Sequence, residues 1–460
     1  MGKNRFFTAV AVAAACAGLV VGAEEQGWIL GGDLRVRQEA MDNIPGHPGD
    51  PSSPYPTASG KNLNWIRYRP RLWTGYSGEN SGFYFRVADE MRETIVRHGK
   101  SRKDCSYSFP DEIVVDNLYL YFNGLWDGLV DVKAGRQDFV DGGRPAFGAG
   151  RLLMDGTGYD GSRTSYFDAL RLTFHLTEKS TLDVFGIYND GQNPLRLGHP
   201  TPSPRAANAI DPRDSDEMDE FGGGLYYKGR ELGDDFPCEI YYVFKRETPF
   251  HRLGERQPGR DTHTVGARLA PRLSETLTAE FEGAFQLGEK DNGADVSGAM
   301  GFAGLTYRPV AEAGSPRPFF NASVYYLSGD SRRGAEDRDT SWNPLWGRWP
   351  QCSEMLVYGP LYGLGYWSNM TYPSLGAGLD IAPRHRLNAY AGPMFCAVQD
   401  GLGGGDEMYK GLLGVARYDF PILREHNLFG HVLAEVFEPG DYYVTDKTAY
   451  FLRWELSVAF

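Results

Sequence analysis

Along most of this chain apolar and polar residues alternate one by one. The last stretch, TAYFLRWELSVAF, puts Tyr450, Leu452, Trp454, Leu456, Val458 and Phe460 on one side and Arg453, Glu455, Ser457 and Ala459 on the other. A period of two is that of a β-strand with unlike faces. The pattern recurs at 28–40, 64–76, 82–91, 116–122 and 128–139, then at 167–176, 181–189, 220–229 and 238–247. It continues at 262–270, 276–288, 298–309 and 318–329, and ends with 374–382, 386–398, 408–420, 427–438 and the terminal strand. The connections fall into two classes. SGENS, NGLWDG, TEKS, PRLSE, APRHR and PILREH are short, while 41–63, 92–113, 140–165, 190–219, 248–261, 330–373 and 439–447 are long. Short and long take turns. The pattern predicts an all-β chain: a transmembrane antiparallel β-barrel of about eighteen strands, with short periplasmic turns and long extracellular loops. A chain that stops in mid-strand fits closure, because pairing the last strand with the first removes both sheet edges.

The N-terminus points to the same compartment. Lys3 and Arg5 precede an apolar run from Phe6 to Val21 and then Gly22 and Ala23. This reads as a signal peptide over 1–23, leaving one barrel unit over 24–460. Mean hydropathy is −0.42; that value suits a soluble protein, and equally a barrel whose strands turn only alternate residues to lipid. The chain has 27 Tyr and 58 Gly, which favours the barrel, with its interfacial girdles and tight turns. A net charge of −13 argues against a nucleic-acid partner. Cys105, Cys238, Cys352 and Cys396 lack metal-site spacing. Cys105 and Cys352 fall in predicted outer loops, where they could pair or stay reduced.

A charge at the lipid midplane costs roughly 2–4 kcal/mol, so charged positions of the strands must face the lumen. This rule turns Asp33, Arg35, Arg37 and Glu39 inward on the first strand and Arg67, Arg69 and Arg71 on the second. Arg86, Lys133, Arg171 and His175 follow on later strands, with Lys245 and the acids Asp131, Asp183, Glu280 and Glu282. Arginine is a fixed charge whose fork matches carboxylates, and a ring of arginines selects anions. The same residues could equally cancel in a salt-bridge network that braces a polar interior. The Trp- and Tyr-rich segment 330–373 reads either as a surface lid or as a plug that contacts sugars. Ser162, Asp168 and His175 lie near one another in sequence, yet nothing fixes them as a triad. No Walker, zinc or calcium-loop pattern occurs, so no catalytic residue, metal or cofactor is assigned.

DNLYLYFNGLWDGLVDVKAGRQDF, followed by FGAGRLLMDGTGYDGSRTSYFDALRLTFHL, resembles the alginate export family of outer-membrane barrels. The resemblance implies a monomeric barrel of eighteen strands that passes an alginate-like polyuronate outward through a basic lumen. The matching positions are Arg136, Gln137, Asp138, Arg151, Asp155, Asp160, Arg163 and Asp168. It implies that they lie near a constriction, arginines meeting substrate carboxylates and aspartates orienting the arginines. The expected partners are an anionic glycan and outer-membrane lipid; nothing points to a periplasmic partner. Two alternatives stay open, a general or substrate-specific diffusion porin and a plugged barrel that binds surface glycans. An enzyme is a third and lesser one.

Overall fold

The computed structural model describes residues 26–44, 63–97, 113–141, 144–147, 166–190, 196–197, 219–252, 255–312, 314–331, 337–346, 352–355, 368–401 and 404–460. The expected signal peptide lies outside them, as do Cys105 and most of 140–165 and 190–219.

The wall begins with β1 (Gly27–Asp42), β2 (Leu63–Ser77), β3 (Ser81–Ala88, continued by Met91–Arg97), β4 (Ile113–Gly124), β5 (Val130–Gln137) and β6 (Phe167–Thr177). It goes on through β7 (Ser180–Asn189), β8 (Glu220–Gly229), β9 (Cys238–Glu247), β10 (Arg260–Leu269), β11 (Leu277–Lys290) and β12 (Asp295–Tyr307). β13 (Arg317–Leu327), β14 (Met370–Ala382), β15 (His385–Phe395), β16 (Tyr409–Leu423), β17 (Leu428–Pro439) and β18 (Ala449–Ala459) complete it. Each strand pairs antiparallel with the next. β18 pairs back onto β1 from Asp33↔Ala459 to Asp42↔Tyr450. The chain is therefore a closed antiparallel barrel, as the alternation predicts. The last residue belongs to the seam: Phe460 and Gly32 exchange backbone N–H···O bonds of 3.0 and 2.9 Å.

The pleat sorts the side chains as expected. Leu30, Leu118, Leu170, Leu225, Val265, Phe285, Leu375, Val436 and Leu452 are exposed on the outer wall, where lipid covers them. Aromatics mark both margins of that band: Trp28, Tyr76 and Tyr307 near the short turns, and Tyr188, Tyr326 and Tyr450 near the long loops. Among the described residues no helix is long and apolar enough to cross a membrane. One rim connection departs from the alternation of short and long. Residues 291–294 form a tight turn on the long-loop side, with Asn292 Oδ1 accepting the Ala294 N–H at 3.3 Å and Gly293 at φ 84°. The Asn-Gly pair supplies the positive φ that such a hairpin needs.

A proline shapes the inner face. Pro70 in β2 has no N–H to donate, and β3 breaks opposite it, between Ala88 and Met91. Asp89 N–H still reaches Pro70 O at 3.1 Å. The break leaves the Glu90 carboxylate buried among the arginines of β1 and β2.

The seam gives a test. A Cβ on Gly32 would come within 2.8 Å of the Phe460 ring and 2.9 Å of Leu72. Gly32→Val should lower the temperature at which the folded band disappears in heat-modifiability gels, at a cost of about 1–3 kcal/mol for overpacking. An unchanged transition would show that the terminal strand tolerates a loose seam.

Candidate functional site

β1 and β2 set like charges face to face: Arg35 opposite Arg69, and Arg37 opposite Arg67. Such pairs oppose strand pairing unless counter-charges intervene, and buried carboxylates do so here. Glu39, fully buried, accepts a hydrogen bond from Trp65 Nε1 at 2.6 Å and from Arg453 at 2.6 Å; Arg37 lies at 3.2 Å and Arg67 at 3.6 Å. Glu90 pairs with Arg35 at 2.8 Å and with Arg67. Asp33 holds Arg71 through bonds of 2.9 and 2.5 Å. The predicted arginine row is thus present on the inner wall, and acids thread it.

The next strands continue the lattice. Arg86 meets Asp116 at 2.9 Å and Asp138 at 3.3 Å. Arg171 and Lys228 share Asp183 at 2.8 and 3.3 Å. Lys133 Nζ stands 4.1 Å over the Tyr119 ring. Arg136 and Asp168 do not join them. By register Arg136 shares the face of Leu118 and Leu170, which are exposed on the outer wall. It bonds Asp168 at 2.7 and 2.6 Å and stacks on Tyr166 at 4.1 Å. The reason is parity: three residues from Lys133 is an odd step, which changes face. The implied place of these two residues in the substrate path is corrected accordingly. The same parity separates Asp168 from His175, which is inward and bonded to Asp131 at 2.8 Å, so these two cannot serve one triad. Arg151, Asp155, Asp160, Ser162 and Arg163 lie outside the described residues, and Gln137 is spent on backbone carbonyls of Lys133, Gly135 and Ala169.

Two stretches from the long-loop end fold into the lumen. Phe139 and Phe147 pack on Phe167, Phe185 and Tyr226 of β6–β8. The second stretch is the aromatic one singled out in the sequence. Asn343 exchanges hydrogen bonds of 2.7 Å with Gln286 of β11, and Leu345 O accepts Lys245 Nζ of β9 at 2.6 Å. Trp346 is fully buried. Gly222 and Gly298 make room: a Cβ there would meet Trp346 at 2.9 Å and the Trp342 backbone at 3.1 Å. Residues 352–355 then dock on the far side. Cys352 O accepts Tyr390 OH of β15 at 2.8 Å, and Glu435 of β17 receives Ser353 OH and the Glu354 and Met355 N–H groups, the latter two at 2.9 and 3.0 Å. Glu354 meets Arg453 of β18 at 2.6 and 2.7 Å.

β9 and β18 stand half a ring apart, and a ring of this size is roughly 35 Å across from backbone to backbone. The six peptide steps from Trp346 to Cys352 reach at most about 21 Å. The described parts of the aromatic segment, 337–346 and 352–355, are therefore held to opposite walls by side chains that reach inward, and they narrow the lumen. Of its two sequence readings, the inward one matches the described residues, and Cys352 lies within the docked turn.

Sequence reasoning had not singled out Glu90, Asp116, Glu354 or Glu435 as part of the site. Glu90 carried a signal, since it shares the parity of Arg86. Glu354 and Glu435 carried none, because a loop has no register with the strand it will meet.

Two outcomes follow. Glu39→Gln leaves the surrounding guanidiniums without their carboxylate, so it should cost about 3–5 kcal/mol in urea unfolding. Burial pushes the Glu354 carboxyl up, but Arg453 outweighs this and holds it below its usual 4.5. With the folded value the lower one, the ion pair contributes stability above about pH 4.5 that is lost as pH falls through the folded value. Urea midpoints of wild type and Glu354→Gln should therefore differ at pH 7 and converge only at the acid end.

No protein-family model and no curated protein sequence matches the chain. Solved structures do. OccAB1 of Acinetobacter baumannii superposes with a TM-score of 0.53 at 10% identity, covering 94% of this chain and 96% of that one. OccK11 (OpdR) of Pseudomonas aeruginosa gives 0.51 at 11%, covering 96% and 99%. The outer membrane protein OprD of the same organism gives 0.50 at 10%, covering 95% of each. The likeness is one of fold, a closed antiparallel β-barrel, shared over nearly the whole of each chain.

Proposed function

We propose that this chain is a diffusion channel for small polar solutes, with passage set by the narrowing between the inward segment and the charged walls. The observation that carries this reading is the attachment of the segment to both β9–β11 and β17–β18. On this reading, small molecules pass beside the bridge and a long polymer is hindered by it. One of the similar structures is named as an outer membrane protein, OprD, and the shared fold agrees with a channel. The reading invokes no covalent chemistry: a solute sheds part of its hydration and moves between weak polar sites.

Passage of an acidic glycan is the second reading, and one observation favours it. Arg35, Arg37, Arg67, Arg69 and Arg71 line one sector of the wall. Against it, Glu39, Glu90 and Asp33 already occupy much of their donor capacity, so a uronate would have to compete with built-in carboxylates.

Planar-bilayer conductance with a salt gradient, together with liposome permeation, separates the readings. The expected outcome is conduction with weak ion preference, entry of monosaccharide-sized solutes and no block by oligouronate. Asp33→Asn, which releases Arg71, should shift the reversal potential toward anions. Oligouronate block that disappears in Arg67→Ala and Arg69→Ala would transfer support to the acidic-glycan channel. A folded barrel with zero conductance would instead favour the plugged, surface-binding form.

A further inference from the structure

Glu435 differs from the cation-paired carboxylates Glu39, Asp183 and Glu247. It is 2% exposed, and its partners among the described residues are the Ser353 hydroxyl and the N–H groups of Glu354 and Met355. No cation is among them. Glu39, Asp183 and Glu247, by contrast, each touch two or more basic side chains. Among the described residues the groups in contact with Glu435 are neutral or acidic, and Arg417 of β16, diagonal to it on the same face, turns to Asp419 at 2.7 Å. From the docked turn come Glu354 and Cys352, from β14 Tyr372, and from β15 Tyr390. The neighbouring strands place Val415 and Phe451 opposite it. Arg453 of β18 turns instead to Glu39 and Glu354.

The two attachments of the inward segment therefore differ in chemistry. On β9–β11 the groups are the Asn343–Gln286 amide pair, the Lys245 bond to Leu345 O and the seat of Trp346. The carboxylates there, Glu220 and Glu247, are paired with Lys245 and Arg260, and the bonds that hold the segment's backbone come from Gln286 and Lys245 rather than from a carboxylate. At β17, two backbone N–H groups depend on carboxylate oxygens. A neutral carboxyl carries a hydroxyl that must donate, and a backbone N–H cannot turn to accept.

We propose that Glu435 is an acid-sensitive latch: ionised, it docks the turn at residues 352–355; protonated, it releases that turn and changes the conductance of the pore. The step adds one proton to the carboxylate and breaks hydrogen bonds alone. The inference rests on the channel reading above for its conductance effect, but not for the docking itself.

Two measurements test it. Hydrogen exchange of the Glu354 and Met355 amides, compared at one fixed neutral pH, should be roughly tenfold faster in Glu435→Gln than in wild type, the scale of one lost charge-assisted bond. Ser353→Ala, which leaves the wall carboxylate in place, should lie between, and it serves if the first variant folds poorly. In bilayers, wild-type conductance should step on acidification, and Glu435→Gln should show the acid-state value at every pH. Equal exchange in all three proteins, or a step that persists in Glu435→Gln, would overturn the latch. If no protein conducts at any pH, the channel reading fails, and exchange alone decides the docking.

Discussion

A backbone in lipid has no water to bond with, and every other feature of this protein depends on that constraint. Each unpaired N–H or C=O in the hydrocarbon costs several kcal/mol, so a sheet in a membrane must have no edge. The β1–β18 seam meets this requirement, and it reaches the last residue, where Phe460 bonds Gly32. Closure then fixes the register around the ring. Register in turn decides which side chains meet lipid and which meet the lumen.

The polar interior is the second consequence. With the outer face given over to apolar side chains, the charges of the strands crowd inward, including cross-strand arginine pairs that would repel one another alone. They are stable because acids come from elsewhere in the ring: Glu90 beside the break opposite Pro70, Glu39 from β1, and Glu354 from the inward segment. The lattice joins β1, β2, β3 and β18 with that segment, so the wall and the narrowing are one electrostatic unit. The arginines in it are held by built-in carboxylates and do not form a bare basic ring.

The narrowing itself uses two kinds of contact. Aromatic and glycine positions seat the segment where it leaves the wall, with Trp346 on Gly222 and the Trp342 backbone on Gly298. Carboxylates hold it where it arrives, through Glu435 and Glu354.

The sequence alone determined the strands, their faces, closure through the terminal strand and the short-turn end of the barrel. These are local consequences of a period of two and of the cost of charge in lipid, and both are written residue by residue. Parity even held the correction for Arg136, three positions from Lys133. What the tertiary structure decided is who neutralises whom. Glu39 meets Arg453 across more than four hundred residues of chain, and Glu435 meets a turn some eighty residues before it. Such pairings depend on where the ring closes and how a loop folds back into it, and no local pattern records either. The substrate implied by the family resemblance fell in the same gap. Counting arginines on a face gives their number, whereas the charge a solute meets depends on partners that only the closed barrel brings together.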